Sequence, residues 1–67
     1  MNDPHSRPVP ADAWQYLQLA AISYRAYLRG NPELLPRAVQ YGRHALDHGA
    51  PMATLVAILE RVKAEAK

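Results

Sequence analysis

Two histidines and an aspartate near the middle of the chain are the residues best placed to do chemistry. His44 and His48 are four residues apart, with Asp47 just before the second. On a helix this spacing places both imidazoles on one face, where they could share a zinc ion. A catalytic zinc site needs further ligands, and the remaining histidine, His5, lies in a proline-rich segment. We therefore expect a solvated helix end, with adventitious metal capture as the alternative, and we predict no functional metal and no cofactor.

The chain has little material for covalent catalysis. It contains no cysteine, and its only hydroxyl side chains besides tyrosine are Ser6, Ser23 and Thr54. No serine, histidine and acid are spaced as a catalytic triad, no carboxylates are paired, and no glycine-rich loop is present to hold phosphates. The sequence therefore predicts a protein that is not an enzyme.

The aromatic and basic residues favour binding over catalysis. Tyrosine, tryptophan and arginine are the usual anchors of protein interfaces. The four arginines between residues 25 and 43 are opposed only by Glu33, in a chain of formal charge +2. The alternatives are a core whose tyrosine hydroxyls reach the surface and a merely solvated basic face. The aromatic set is Trp14, Tyr16, Tyr24, Tyr27 and Tyr41.

Helices must position these side chains. A chain of 67 residues forms one small domain at most, and 49% of it is apolar, with much alanine and leucine. Asp12 and Gln15 resemble a capping box, Asn31 precedes Pro32 as a helix start, and Gly30 and Gly49 are stop signals. We predict an all-α, antiparallel three-helix unit at about 12–29, 32–48 and 51–66. Residues 1–10, with three prolines, are expected to be a disordered arm, and residues 11–67 the single helical domain.

Pro36 interrupts the second predicted helix. A proline inside a helix clashes with the carbonyl four residues earlier, so we expect either a short turn at 32–35 before a regular helix or a kink. The core is expected to take Leu35, Val39, Leu46, Leu55, Leu59 and Val62, together with Met52 and Val56 on the third helix.

The first helix is apolar on more than one side, which exceeds what two partner helices cover. We therefore predict a helical-bundle homodimer whose interface lies at Trp14, Leu17, Ala21, Tyr24 and Leu28. The sequence has no run of about 18 apolar residues and no secretory signal, which predicts a cytoplasmic protein that does not bind membranes.

The segment from about residue 20 to residue 66 resembles a known family. Its first helix ends in Tyr27-Leu28, Tyr41-Gly42-Arg43 and Leu46-Asp47 follow, and a glycine turn with Pro51 precedes the apolar set Leu55, Val56 and Ile58. In this order and spacing the segment resembles the N-terminal helical domain of RsbU-type phosphatases. The resemblance implies a dimeric module that binds an RsbT-type switch kinase and thereby activates a phosphatase domain. The family's usual fourth helix has no counterpart here, and Pro36 departs from its pattern.

The sequence thus predicts a non-enzymatic protein-interaction module of bacterial stress signalling. Its partner-binding face is expected on the outside of the second helix, at Arg37, Gln40, Arg43 and His44. The alternative is a small helical nucleic-acid-binding or other regulatory protein. Nucleic acid is disfavoured because the third helix begins Pro51-Met52-Ala53-Thr54, which offers almost nothing to read a base.

Overall fold

The computed structural model describes residues 9–66. Within them the chain forms three α-helices, α1 (Ala11–Leu28), α2 (Leu35–Asp47) and α3 (Met52–Glu65), with a 3-10 turn at Pro32–Leu34 and no strand. The predicted all-α three-helix unit is confirmed, and its boundaries are one residue from those predicted when the turn is counted with α2. Among these helices, none combines the length and apolarity needed to cross a membrane.

The N-terminus of α1 differs from the prediction. The helix begins at Ala11, and Pro10 takes the capping position with extended backbone angles of φ −56° and ψ 147°. The Pro10 carbonyl accepts a hydrogen bond from the Trp14 amide at 3.0 Å. The predicted Asp12 cap is wrong, because the earlier start places Asp12 inside the first turn, where its charge can still favour the helix dipole.

Only the end of the predicted disordered arm belongs to the described residues. Val9 is half-buried against the core, and Pro10 lies beside Gly49 at the far end of α2. These two residues therefore pack against the helical domain, which was predicted to begin at residue 11. Residues 1–8, which make up the rest of the predicted arm, lie outside the described residues.

The end of α1 is a Schellman motif. Gly30 has φ +112°, in the left-handed region where a side chain would be strained. The Gly30 amide donates to the Tyr27 carbonyl at 3.1 Å, and the Asn31 amide donates to the Ala26 carbonyl at 3.2 Å. Asn31 does not cap the following turn as predicted. Its side-chain amide instead donates to the same Ala26 carbonyl, at 3.1 Å.

The end of α2 is built in the same way. Gly49 has φ +104°, and its amide donates to the Leu46 carbonyl at 3.1 Å. The Ala50 amide donates to the Ala45 carbonyl at 2.9 Å, and both alanines are buried. The predicted glycine stops are confirmed at both helix ends, so each connection is only a few residues long.

Pro36 lies in the first turn of α2, where its missing amide would have had no partner within the helix. The chain reaches this position through the 3-10 turn at Pro32–Leu34. Of the two predicted arrangements, the short turn followed by a regular helix is therefore the one adopted.

The core is small and rich in alanine. Leu17 is the only large side chain among the described residues with no exposed surface, and Ala13, Ala20 and Ala45 are equally buried around it. Both α2 and α3 pack on α1, but they scarcely touch each other. Where they do meet, Gly42 allows close approach, since a Cβ there would lie 3.2 Å from the Leu55 Cδ2.

Half of the predicted core side chains are buried or half-buried, and the other half are exposed. Leu55 and Val62 are buried, and Leu46 and Leu59 are half-buried, as expected for core positions. Four other predicted core side chains are exposed, because α2 and α3 diverge and neither covers the facing side of the other. These side chains are Leu35 (36% exposed), Val39 (55%), Met52 (58%) and Val56 (43%).

Candidate functional site

An open apolar groove runs between α2 and α3. Its volume is about 330 Å³, and α1 closes it from below through Tyr24. The α2 wall carries Leu35, Val39 and Leu46, and the α3 wall carries Met52 and Leu59. Ala38, Gly42 and Leu55 form the floor where the two helices come closest.

The groove has the chemistry of a protein-binding surface. Among the described residues, Arg43 is the only charged one that lines it, and no carboxylate does. Val39 and Met52, on opposite walls, are each more than half exposed. Small domains rarely leave neighbouring large apolar side chains uncovered unless something binds there.

Three of the four predicted partner-binding residues lie together on the outer side of α2. Gln40, Arg43 and His44 line a shallow polar depression of about 380 Å³ that also includes Pro36 and Asp47. Arg37 is exposed on the same helix, two turns before His44 and outside the depression. Arg43 is common to this depression and to the apolar groove, so the two surfaces are continuous.

The histidine pair packs on a tyrosine. The ring centroid of Tyr16 on α1 lies 5.2 Å from that of His44 and 5.0 Å from that of His48. The Tyr16 and His48 rings are stacked, with an interplanar angle of 25°. No group of three or more histidines and carboxylates in residues 9–66 is arranged to hold a metal ion. The i, i+4 spacing therefore brings both imidazoles of α2 against the Tyr16 ring of α1.

The predicted dimer interface is largely turned inward. Leu17 has no exposed surface and belongs to the core of its own chain, so it cannot contact a second copy that keeps this fold. Ala21, Tyr24 and Leu28 are half-buried within the chain. Trp14 is 43% exposed and lies at the edge, beside Ala57 of α3.

Sequence reasoning missed a different apolar surface on α1. Leu19 and Ile22 are exposed on its outer side, Ile22 by 62%, and they share a shallow depression with Gln15 and Gln18. The signal was available in the sequence. Leu19 follows Gln15 by four residues and Ile22 follows Gln18 by four, so helical periodicity places both beside the polar stripe of the helix.

The groove was missed for a related reason. The small residues Ala38, Gly42 and Ala45 mark the side of α2 that approaches its neighbours closely, as the sequence indicated. Leu35 and Val39 fall on this same side of α2, so helical periodicity predicts them in the core. The sequence alone did not indicate that no other helix would cover them.

One ion pair links the C-terminal part of α3 to α1. The Arg25 guanidinium lies 3.3 Å from a Glu65 carboxylate oxygen, and both side chains are about half exposed. An ion pair this exposed contributes little stability.

Comparison of the chain with protein-family models, with curated proteins and with solved structures finds no significant match.

Proposed function

We propose that this chain is a non-enzymatic protein-docking module. The observation that carries the proposal is the apolar groove between α2 and α3, with its exposed Val39 and Met52 and its basic edge at Arg43. A small domain gains nothing in stability by exposing such side chains, whereas a partner that covers them gains buried apolar area.

The outer face of α2 extends the docking surface. Arg37, Gln40, Arg43 and His44 are all exposed there, and they offer directed hydrogen-bond donors beside the apolar groove. An apolar centre with a polar and charged margin is the usual composition of a protein interface. The four residues therefore form the polar margin of the proposed surface.

The resemblance of residues 20–66 to RsbU-type docking domains suggests the partner to test first. On that basis we take the partner to be an RsbT-type switch kinase of bacterial stress signalling, in the cytoplasm. The basic edge of the docking surface would meet an acidic surface of the kinase.

Self-association is the second part of the proposal. The outer side of α1 exposes Leu19 and Ile22 beside Gln15 and Gln18, and none of these four residues, which line one depression in the described part of the chain, is charged. An uncharged surface suits a two-fold dimer, because the symmetry places identical residues near one another. This assigns the proposed homodimer to the outer side of α1, with Trp14 at its margin.

Charge reversal on α2 tests the docking function. The double variant Arg37→Glu, Arg43→Glu is expected to keep its helicity, because exposed substitutions rarely change stability by more than about 0.5 kcal/mol. Binding to a purified RsbT-type kinase should weaken about tenfold or more if both residues lie in the contact. Isothermal titration calorimetry measures the change.

Arg29→Glu is the control for a single charge reversal and is compared with Arg43→Glu alone, because Arg29 is exposed just after the end of α1 and lines neither the groove nor the depression on α2. Equal loss of kinase binding in these two single variants would contradict a docking site on α2. Binding of duplex DNA that falls steeply with salt, without any kinase binding, would favour the nucleic-acid alternative.

A further inference from the structure

The groove is about three helical turns long. Its α2 wall extends from Leu35 to Leu46, twelve residues that rise by about 16 Å. The large apolar residues of this wall are separated by four and then seven residues, so they share one face of α2. They are Leu35, Val39 and Leu46. A surface of this kind is matched by an amphipathic helix whose anchors recur at i, i+3 or i+4, and i+7.

Among residues 9–66, the one charged residue that lines the groove is basic, and Asp47 of α2 lies in the adjoining polar depression and not in the groove. Arg43 stands on the α2 edge. Lys63 follows Val56 and Leu59 at helical spacing, which places it on the same side of α3. The two ion pairs of residues 9–66, Arg25 with Glu65 and Arg61 with Glu65, involve neither of these residues. Both edges therefore favour a partner that carries carboxylates beside its apolar stripe.

A second copy of the chain is a poorer occupant. The uncovered apolar side of α1 has only Leu19 and Ile22, three residues apart, which span one turn of a groove three turns long. Two grooves placed face to face would bring the positive edges of both copies together. Such like-charge contacts disfavour an interface.

We propose that the α2–α3 groove binds an acidic amphipathic α-helix of a partner protein. The helix places three apolar side chains between Val39 and Met52 and glutamates or aspartates beside Arg43 and Lys63. This assignment rests on the proposed docking function and names the chemistry of the segment that is recognised.

A pair of designed peptides tests the proposal. Each has about 14 residues of alanine and glutamine, the length at which an isolated helix becomes marginally stable, with leucines at i, i+3 and i+7. One peptide has glutamates on both sides of the leucine stripe, and the other has lysines at the same positions. We expect the glutamate peptide to bind about tenfold more tightly at low salt, and its advantage to shrink as salt is added.

Variants of the groove locate the binding. Arg43→Glu should remove or reverse the preference for the glutamate peptide, whereas Arg29→Glu should leave it unchanged. The double variant Val39→Ser, Met52→Ser should weaken binding of the glutamate peptide about tenfold, with circular dichroism showing that the fold is kept. Both substituted side chains are more than half exposed, so the chain can lose them without losing its core.

Heteronuclear NMR distinguishes the outcomes. Peptide-induced shifts at Val39, Met52 and Leu59 support the proposal, and shifts confined to Leu19 and Ile22 overturn it, as would equal affinity for the two peptides. If the switch kinase binds and the Val39→Ser, Met52→Ser variant retains that binding, the groove assignment fails while the docking function stands. If neither the kinase nor either peptide binds, both proposals fail.

Discussion

Gly30 and Gly42 are glycines for opposite reasons. Gly30 has φ +112° and open space around the position of a Cβ, so any cost of a side chain there comes from the backbone. Gly42 is helical, and a Cβ would lie 3.2 Å from the Leu55 Cδ2, so its constraint comes from packing. Leu55 borders the open groove and has room to move away.

Alanine at each position should separate the two effects. Gly30→Ala is expected to destabilise the chain by about 1 kcal/mol, the cost of a left-handed backbone for a residue with a Cβ. Gly42→Ala should be neutral or stabilising, because alanine favours a helix by about 1 kcal/mol over glycine and Leu55 can yield. Urea denaturation followed by circular dichroism measures both. A larger loss for Gly42→Ala than for Gly30→Ala would show that the α2–α3 contact is rigid.

The two histidines on α2 illustrate a spacing with two interpretations. His44 and His48 have the separation of zinc ligands, and their imidazoles instead lie against the ring of Tyr16. Helical periodicity predicted correctly that the two would share a face. It could not predict the aromatic ring, because Tyr16 belongs to a different helix.

Zinc addition tests which interpretation holds in solution. Because no third histidine or carboxylate in residues 9–66 is arranged to complete a site with His44 and His48, we expect Zn²⁺ to leave the melting temperature unchanged. Differential scanning calorimetry with and without equimolar Zn²⁺ measures this. A clear rise that is lost in His48→Ala would establish a metal site.

The helix boundaries were predictable because short-range chemistry determines them. Gly30 and Gly49 end helices through left-handed backbone angles, and Pro36 is tolerated only in a first turn. The buried faces were only partly predictable. Val39 and Met52 have core residue types at core spacing, and their exposure depends on the divergence of α2 from α3, which no local pattern in either helix encodes.

The central position of α1 makes its buried face critical to stability. Both other helices pack on it, and Leu17 is its one large side chain with no exposed surface. Leu17→Ala should therefore destabilise the chain by about 3 kcal/mol, the transfer cost plus that of a cavity. Leu35→Ala, the same deletion in the open groove, should cost less than about 1 kcal/mol. Equal costs in urea denaturation would contradict the assignment of the core to α1.

The three helices enclose a core of alanines with few large side chains, and they leave two apolar surfaces uncovered. One is the groove between α2 and α3, where Arg43 is the charged lining residue in the described part of the chain. The other is the uncharged outer side of α1 around Leu19 and Ile22. Their different electrostatics suggest different occupants, a charged partner for the first and a second copy for the second.

Self-association through the outer side of α1 would make the stability of the chain depend on protein concentration. If Ile22, which is 62% exposed, lies in a two-fold interface, the melting temperature of the chain should rise with protein concentration. Ile22→Glu would place two carboxylates near each other across the axis, so this variant should sediment as a monomer and melt at a temperature independent of concentration. Val56→Glu, a charged substitution at an exposed residue of α3, is the control and should dimerise as the unmodified chain does. Analytical ultracentrifugation at micromolar concentration decides, and an unmodified chain that sediments as a monomer there would exclude the α1 interface.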